Sequence, residues 1–204
     1  MGRLQIMRRV LVWLTNTKLY AWLLTSIIPY IRFSLYYPKI RGDKYSQGYR
    51  FLQRGSIILT RDNKKLTSLL IGGEFSHAAF CVGESDRQYQ IAEMTHTNYT
   101  KSWFFDLCKE ADRVVILECI DFDPPYIEAM VARCKSFEDV KYDLQFKLDV
   151  KALYCSELIY ECDFEGRLDL DLEDLRALGR KYISPDGLYH AKNAYVVWDS
   201  SWTS

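Results

Sequence analysis

The sequence lacks most of the features that assign a chain quickly to a functional class. Its six cysteines form no CxxC pair and show no repeated spacing, so neither a disulfide framework nor a zinc ribbon is indicated. Basic and acidic residues number 27 each, so no overall field favours nucleic acid as a partner. A dense metal-ligand motif such as HExxH is also missing. We therefore expect reduced, mostly buried thiols, no cofactor, and a cytoplasmic protein.

Long apolar runs are missing as well. The best candidate, residues 19–31, covers only 13 positions, whereas a membrane span needs about 20. Thr15-Asn16-Thr17-Lys18 interrupts the apolar stretch after Arg8-Arg9, and no small-residue cleavage site follows, so no signal peptide is indicated. The pattern instead predicts two short helices, over about 5–15 and 18–28, with Pro29 ending or kinking the second.

Residues 1–44 differ in charge from the remainder of the chain. They hold eight Lys or Arg and one acid, Asp43, against 19 bases and 26 acids elsewhere. They are also rich in Trp, Tyr and Leu, which fits either a helical arm that covers the domain's sheet or one that contacts an anionic membrane. We predict an arm over 1–44 and a second domain over 45–204, joined by a linker over Pro38 to Gly48.

The rest of the chain mixes strand and helix patterns. Short apolar runs rich in β-branched and aromatic residues predict strands at Ser56–Thr60, His77–Val82, Tyr89–Met94, Arg113–Ile120 and Tyr195–Trp198. Helices are predicted from Pro124, from Cys155, and over Asp171 to Gly179. The short turn after Gly83 suits a hairpin, so the predicted class is α+β, with helices packed on one antiparallel sheet.

One stretch carries the strongest chemical signal. Cys155 is followed at helical spacing by Leu158, Ile159 and Cys162, which places it on the first turn of a helix. Unpaired N–H groups and the helix dipole favour an anion there, and the thiolate is the nucleophilic form of cysteine. A small core residue that begins a buried helix is the alternative interpretation.

Two upstream residues favour catalysis. His77 opens the second predicted strand, and Glu93 is a single acid among apolar residues on the third, where an unpaired buried carboxylate is costly. On hairpin strands the two side chains share a face, so a thiol, an imidazole and an orienting acid are available. His96 is a rival for the acid's place, but its odd spacing from Glu93 turns it to the opposite face.

These segments together resemble the permuted papain-like hydrolases of the NlpC cell-wall peptidase superfamily, and within it the YiiX-like branch. The resemblance covers about residues 50–200 and includes Tyr142-Asp143-Leu144-Gln145-Phe146. It implies a circularly permuted papain-like fold, with Cys155 as nucleophile, His77 as base and Glu93 as orienting group. Backbone amides near Cys155 would form an oxyanion site. Tyr154, Ser156 and Ser76 are expected to surround the substrate.

The leading hypothesis is a cysteine hydrolase or acyltransferase that cleaves amide, ester or thioester bonds through an acyl-enzyme. Its substrate would be a cell-wall peptide or an acyl-lipid-like molecule, and the basic aromatic arm suits the second at least as well. A non-catalytic binding module on the same fold is one alternative. A metal-dependent hydrolase that uses His77, Glu93 and His96 is the other.

Overall fold

The computed structural model describes residues 13, 17–27, 39–63, 73–148, 150–175 and 179–202. Its centre is a six-stranded sheet in which every neighbouring pair of strands is antiparallel. The strand order is β10-β5-β1-β2-β3-β4. These strands are β1 (Ile57–Arg61), β2 (His77–Ser85), β3 (Gln88–Met94), β4 (Tyr99–Trp103), β5 (Arg113–Cys119) and β10 (Ala194–Asp199).

Helices and two small sheets surround this sheet. Within the described ranges the helices are α1 (Lys18–Ser26), α2 (Asp43–Phe51), α3 (Phe104–Glu110), α4 (Pro124–Lys135), α5 (Cys155–Cys162) and α6 (Pro185–Tyr189). The small sheets pair β6 (Lys141–Tyr142) with β7 (Ala152–Leu153), and β8 (Glu173–Leu175) with β9 (Arg180–Tyr182). The mixture of helices with an antiparallel sheet confirms the predicted α+β class.

The central strands are buried on both faces of the sheet. Along β1, Ile57 and Leu59 face one apolar core, and Ile58 faces the other, as the alternation of a strand requires. The first core is completed by α4 and α5, and the second by α3 and by Trp198 of β10. The sheet is therefore enclosed between two helical layers, with α5 packed on β2 and β3.

The hairpin between β2 and β3 confirms the prediction from the turn residues. Asp86 and Arg87 both adopt positive φ angles, 50° and 62°, which is the backbone of the tight turns that join antiparallel strands. The register shifts between Cys81 and Gly83, and Gly83 has a φ of 125°. This bulge increases the local twist of the strand pair.

Two predictions in other segments are wrong. The helix over Asp171 to Gly179 was inferred from three leucines spaced three apart, but residues 173–175 form β8, which pairs with β9. Gly179 has a φ of 63°, so the chain turns there and returns as a strand. The second is the linker over Pro38 to Gly48, where residues 43–48 belong to helix α2.

The described part of the predicted arm contains one complete helix. Helix α1 matches the second predicted helix, and Thr17 caps it by accepting a hydrogen bond from the N–H of Tyr20 (3.2 Å). The first predicted helix lies outside the described residues apart from Trp13. Among the described residues, no helix has the length and apolar content that crossing a bilayer requires.

Candidate active site

Cys155 is the first residue of α5, and its position is fixed by the residue before the helix. Tyr154 is the N-cap residue and has an extended backbone. Its N–H donates to the carboxylate of Glu157 (3.3 Å), one turn further on. Glu157 is fully buried, and Cys155 is 3% exposed. The thiol therefore lies at the positive end of a short buried helix.

The two neighbours of Cys155 bind the same residue of the C-terminal segment. The N–H of Ile183 donates to the hydroxyl of Tyr154 (2.9 Å), and the hydroxyl of Ser156 donates to the carbonyl of Ile183 (2.8 Å). All three residues are buried. Because both backbone groups of Ile183 are engaged, the start of α5 is held from two sides.

His77 is held by the segment that precedes it. The N–H groups of Glu74 and Phe75 donate to the carboxylate of Asp186 on α6, at 2.9–3.1 Å. The hydroxyl of Ser76 accepts from the N–H of Asp62 (3.2 Å). These contacts fix the start of β2, so His77 is presented from an ordered strand end with its side chain 24% exposed.

Glu93 lies beside His77 because of strand register. Phe80 of β2 pairs with Ala92 of β3, which makes His77 and Glu93 diagonal neighbours on one face of the sheet. The Nε2 atom of His77 lies 2.7 Å from one carboxylate oxygen of Glu93, and the hydroxyl of Ser102 on β4 donates to the other. Glu93 is thus oriented by one strand and orients the imidazole on the next.

The thiol of Cys155 completes the cluster. It is hydrogen-bonded to the imidazole of His77, and because Nε2 faces Glu93, Nδ1 is the ring nitrogen left for the sulfur. Backbone N–H groups of Ala78 and Ser156 also donate to the sulfur. The arrangement runs from sulfur to imidazole to carboxylate, with one hydrogen bond at each step.

These contacts shift the pKa values of both reactive groups. Burial raises the pKa of the Cys155 thiol, but the hydrogen bond and the positive charge of His77, with the two amides, outweigh it, so the pKa is lowered. Burial lowers the pKa of His77, whereas the contacts with Cys155 and Glu93 raise it to about 10. Both shifts favour a thiolate–imidazolium pair at neutral pH.

The segment from Tyr142 to Phe146 shapes one wall of the site. The Phe146 ring packs against the Tyr154 ring with centroids 5.2 Å apart. Asp143 holds the turn that leads into Phe146 by accepting from the N–H of Gln145 (2.7 Å). Burial raises the pKa of the Tyr142 phenol, and the nearby Cys155 sulfur raises it further.

The described residues contain no group of three or more His, Cys, Asp or Glu side chains placed to hold a metal ion. His96 lies in the turn after β3, and Glu93 is the residue that contacts His77. The imidazole nitrogens already face a carboxylate and a thiol. The donors present therefore do not fit a metal centre built on His77, Glu93 and His96.

The structure thus brings together Cys155, His77 and Glu93, whose catalytic roles remain predictions. The hydroxyls of Tyr154, Ser156 and Ser76 bond to backbone groups, while the backbone N–H of Ser156 faces the reactive sulfur. Sequence reasoning missed Ser102 and Asp186. Ser102 contacts Glu93, and Asp186 binds the segment before His77. Local sequence pattern does not reveal these contacts, because they depend on β4 and α6, which were not predicted.

Replacing Glu93 by glutamine is expected to lower turnover about tenfold, less than the roughly 10²–10⁴-fold that general acid–base catalysis contributes. The amide keeps the shape but removes the charge that raises the pKa of His77. The alkaline limb of the pH–rate profile should therefore move to lower pH. Hydrolysis of p-nitrophenyl acetate, corrected for the spontaneous reaction, measures both effects.

Ser102→Ala is the matched control, because it removes a hydrogen bond to Glu93 and leaves the charge in place. It should lower the rate less and leave the alkaline limb nearly unmoved. An equal rate loss in both variants with no displacement of the limb would mean that Glu93 only supports the sheet.

Comparison with known proteins adds two findings. A family model described as permuted papain-like amidase enzyme, YaeF/YiiX, matches residues 51–203. The chain is also similar to the crystal structure of metalloprotein YiiX from Escherichia coli O157:H7, with a TM-score of 0.63 and 15% sequence identity. That match covers 74% of this chain and 98% of the bacterial one. No curated protein sequence matches the chain significantly.

Proposed function

Since the chain belongs to the YaeF/YiiX family of permuted papain-like amidase enzymes, we propose that it is a cysteine hydrolase that cleaves amide, ester or thioester bonds through an acyl-enzyme on Cys155. Family membership confirms the resemblance to the YiiX-like branch and the permuted papain-like fold that this resemblance implied. One observation carries the rest of the proposal: the thiol of Cys155 is hydrogen-bonded to His77, which is bonded in turn to Glu93.

Acylation begins with the thiolate of Cys155. Its sulfur attacks the substrate carbonyl carbon, a carbon–sulfur bond forms, and the carbonyl π electrons move to oxygen. The N–H of Cys155 is one of the unpaired amides of the first helical turn, and we assign it to the oxyanion. When the intermediate collapses, the bond to the leaving group breaks, and the His77 imidazolium supplies the proton that this group needs.

Deacylation uses the same groups in the reverse sense. The neutral imidazole of His77 takes a proton from water, and the resulting hydroxide attacks the thioester carbonyl. The carbon–sulfur bond breaks, the acid product leaves, and the thiolate–imidazolium pair is restored. Glu93 holds the His77 ring and stabilises its positive charge throughout. Each cycle consumes one water, which hydrolyses the acyl-enzyme.

Alkylation by iodoacetamide, read by peptide mass spectrometry across a pH series, tests the activated thiolate directly. Because its pKa is lowered, Cys155 should be labelled at lower pH than Cys81, whose pKa burial raises to about 12. In His77→Ala the positive partner is lost, so the labelling curve of Cys155 should move to higher pH.

Cys134 serves as an internal control in the same experiment. Its pKa is also lowered, through a hydrogen bond from Cys162, but no histidine contacts it. Its labelling should therefore be the same in the wild type and in His77→Ala. If Cys155 is labelled no earlier than the other buried thiols, it is a core residue, and a non-catalytic binding module becomes the better account of the chain.

A further inference from the structure

Helix α1 exposes large apolar side chains to solvent. Lys18, Leu19, Trp22 and Ser26 are exposed and follow one side of the helix, since positions four apart lie above one another. Leu19 is 63% exposed and Trp22 53%. Trp13, just upstream, is 66% exposed. Tryptophan and leucine side chains this open to water usually mark a contact surface when they cluster.

The opposite side of α1 is seated on the protein. Tyr20, Ala21 and Leu23 are partly buried, and burial raises the pKa of Tyr20. Tyr20 also acts electrostatically on Tyr142, the phenol that senses the Cys155 sulfur. The helix therefore lies beside the candidate active site and turns its apolar stripe away from the domain.

The charge of the arm indicates which kind of surface the exposed side of α1 can bind. Residues 1–44 contain eight basic residues and one acid, and Lys18 adjoins the stripe itself. A second copy of the chain docked arm to arm would bring these like charges together. Tryptophan beside lysine suits the boundary of an anionic bilayer, where the ring enters the headgroup layer and the ammonium pairs with phosphate.

We propose that α1, together with Trp13, docks on the surface of an anionic membrane. The docked helix holds the start of α5, where Cys155 lies, close to the headgroup layer, so an acyl chain carried by a lipid reaches the thiol without leaving the membrane. Access of a lipid's acyl chain to Cys155 rests on the proposed cysteine hydrolase activity, whereas docking of α1 on the membrane does not. The surface and the chemistry are therefore tested separately.

Vesicle sedimentation of the full chain tests the surface. Cys155→Ala protein is mixed with vesicles of phosphatidylcholine alone or of phosphatidylcholine with phosphatidylserine, so that turnover plays no part. We expect binding to the anionic vesicles, weakened at high salt. Trp22→Ser should weaken it about tenfold, since a large apolar side chain no longer enters the interface. Lys18→Glu should weaken it severalfold through charge alone.

Trp202→Ser is the matched control, because Trp202 is 54% exposed but lies outside the arm. It should leave binding unchanged. Circular dichroism melts verify that each variant is folded, and Leu19→Ser replaces Trp22→Ser if the latter unfolds. Equal binding to neutral and anionic vesicles, equal effects of Trp22→Ser and Trp202→Ser, or dimerisation through the arm would each overturn the proposal.

The pH dependence of Cys155 alkylation shows whether the membrane proposal or the cysteine hydrolase proposal has failed. In a chain with Cys155 intact, Trp22→Ser should retain early labelling of Cys155 and hydrolysis of soluble p-nitrophenyl acetate. Loss of vesicle binding with an intact thiolate supports docking on the membrane. Retained vesicle binding in Trp22→Ser refutes it whether or not the thiol is reactive.

Discussion

Replacement of Cys155 by alanine is expected to abolish hydrolysis of p-nitrophenyl acetate, a loss of at least about 10³-fold, because no acyl-enzyme can form. The substitution removes a single sulfur atom from a position that is 3% exposed, and the start of α5 is also held through Tyr154 and Ser156. The fold should therefore survive. Initial rates and a thermal melt, measured on the same preparation, separate loss of activity from loss of structure.

Cys108→Ala is the matched control for this substitution. Cys108 is as buried as Cys155, at 1% exposure, but it lies on α3 in the other core, where burial raises its pKa. It should lose some stability and retain its rate per folded molecule. Comparable activity in Cys155→Ala and Cys108→Ala would show that the nucleophile has been assigned to the wrong residue.

Replacement of His77 by alanine is expected to lower turnover by about 10²–10⁴-fold, the range that general acid–base catalysis contributes. The upper value corresponds to about 5.5 kcal/mol of transition-state stabilisation. Two functions are lost together, since the imidazole both stabilises the thiolate and carries the proton to the leaving group. The pKa of Cys155 should rise in the variant, so the remaining activity should need a higher pH.

Rescue by added imidazole shows whether His77 takes part in catalysis or only supports the fold. A small base that diffuses into the space left by the side chain should restore part of the rate in His77→Ala, and it should do nothing for Cys155→Ala. His190→Ala is the control, because His190 is exposed and packs edge-on against Tyr189. A rate in His77→Ala that matches the control would remove the histidine from the mechanism.

The sequence predicted the central part of the molecule because its signals there are local. The strands around His77 and Glu93 are short apolar runs, and the residues between Gly83 and Tyr89 suit a tight turn, so hairpin pairing followed. Pairing placed the two side chains on one face. The helix that begins at Cys155 was readable from its apolar spacing, which the structure reproduces over Cys155–Cys162.

What the sequence did not predict depends on tertiary packing. Helix α2 has a polar, glycine-containing sequence that is typical of a linker, and packing stabilises it. Gly48 lies so close to Trp198 that an added Cβ would be 2.8 Å from the ring. Ser102 reaches Glu93 only through the register of β3 and β4. Leucines spaced three apart at 172–178 could not separate a helix from the strand β8.

The double hydrogen bond at Ile183 has a consequence for slow opening motions. Because Tyr154 and Ser156 bind the N–H and the carbonyl of one residue about 30 positions later, the first turn of α5 cannot fray by itself. Unfolding that turn requires the C-terminal segment to detach as well, which joins both segments into one cooperative unit. Amide exchange at the first turn of α5 should then proceed only through sub-global unfolding, at the rate at which the C-terminal segment detaches.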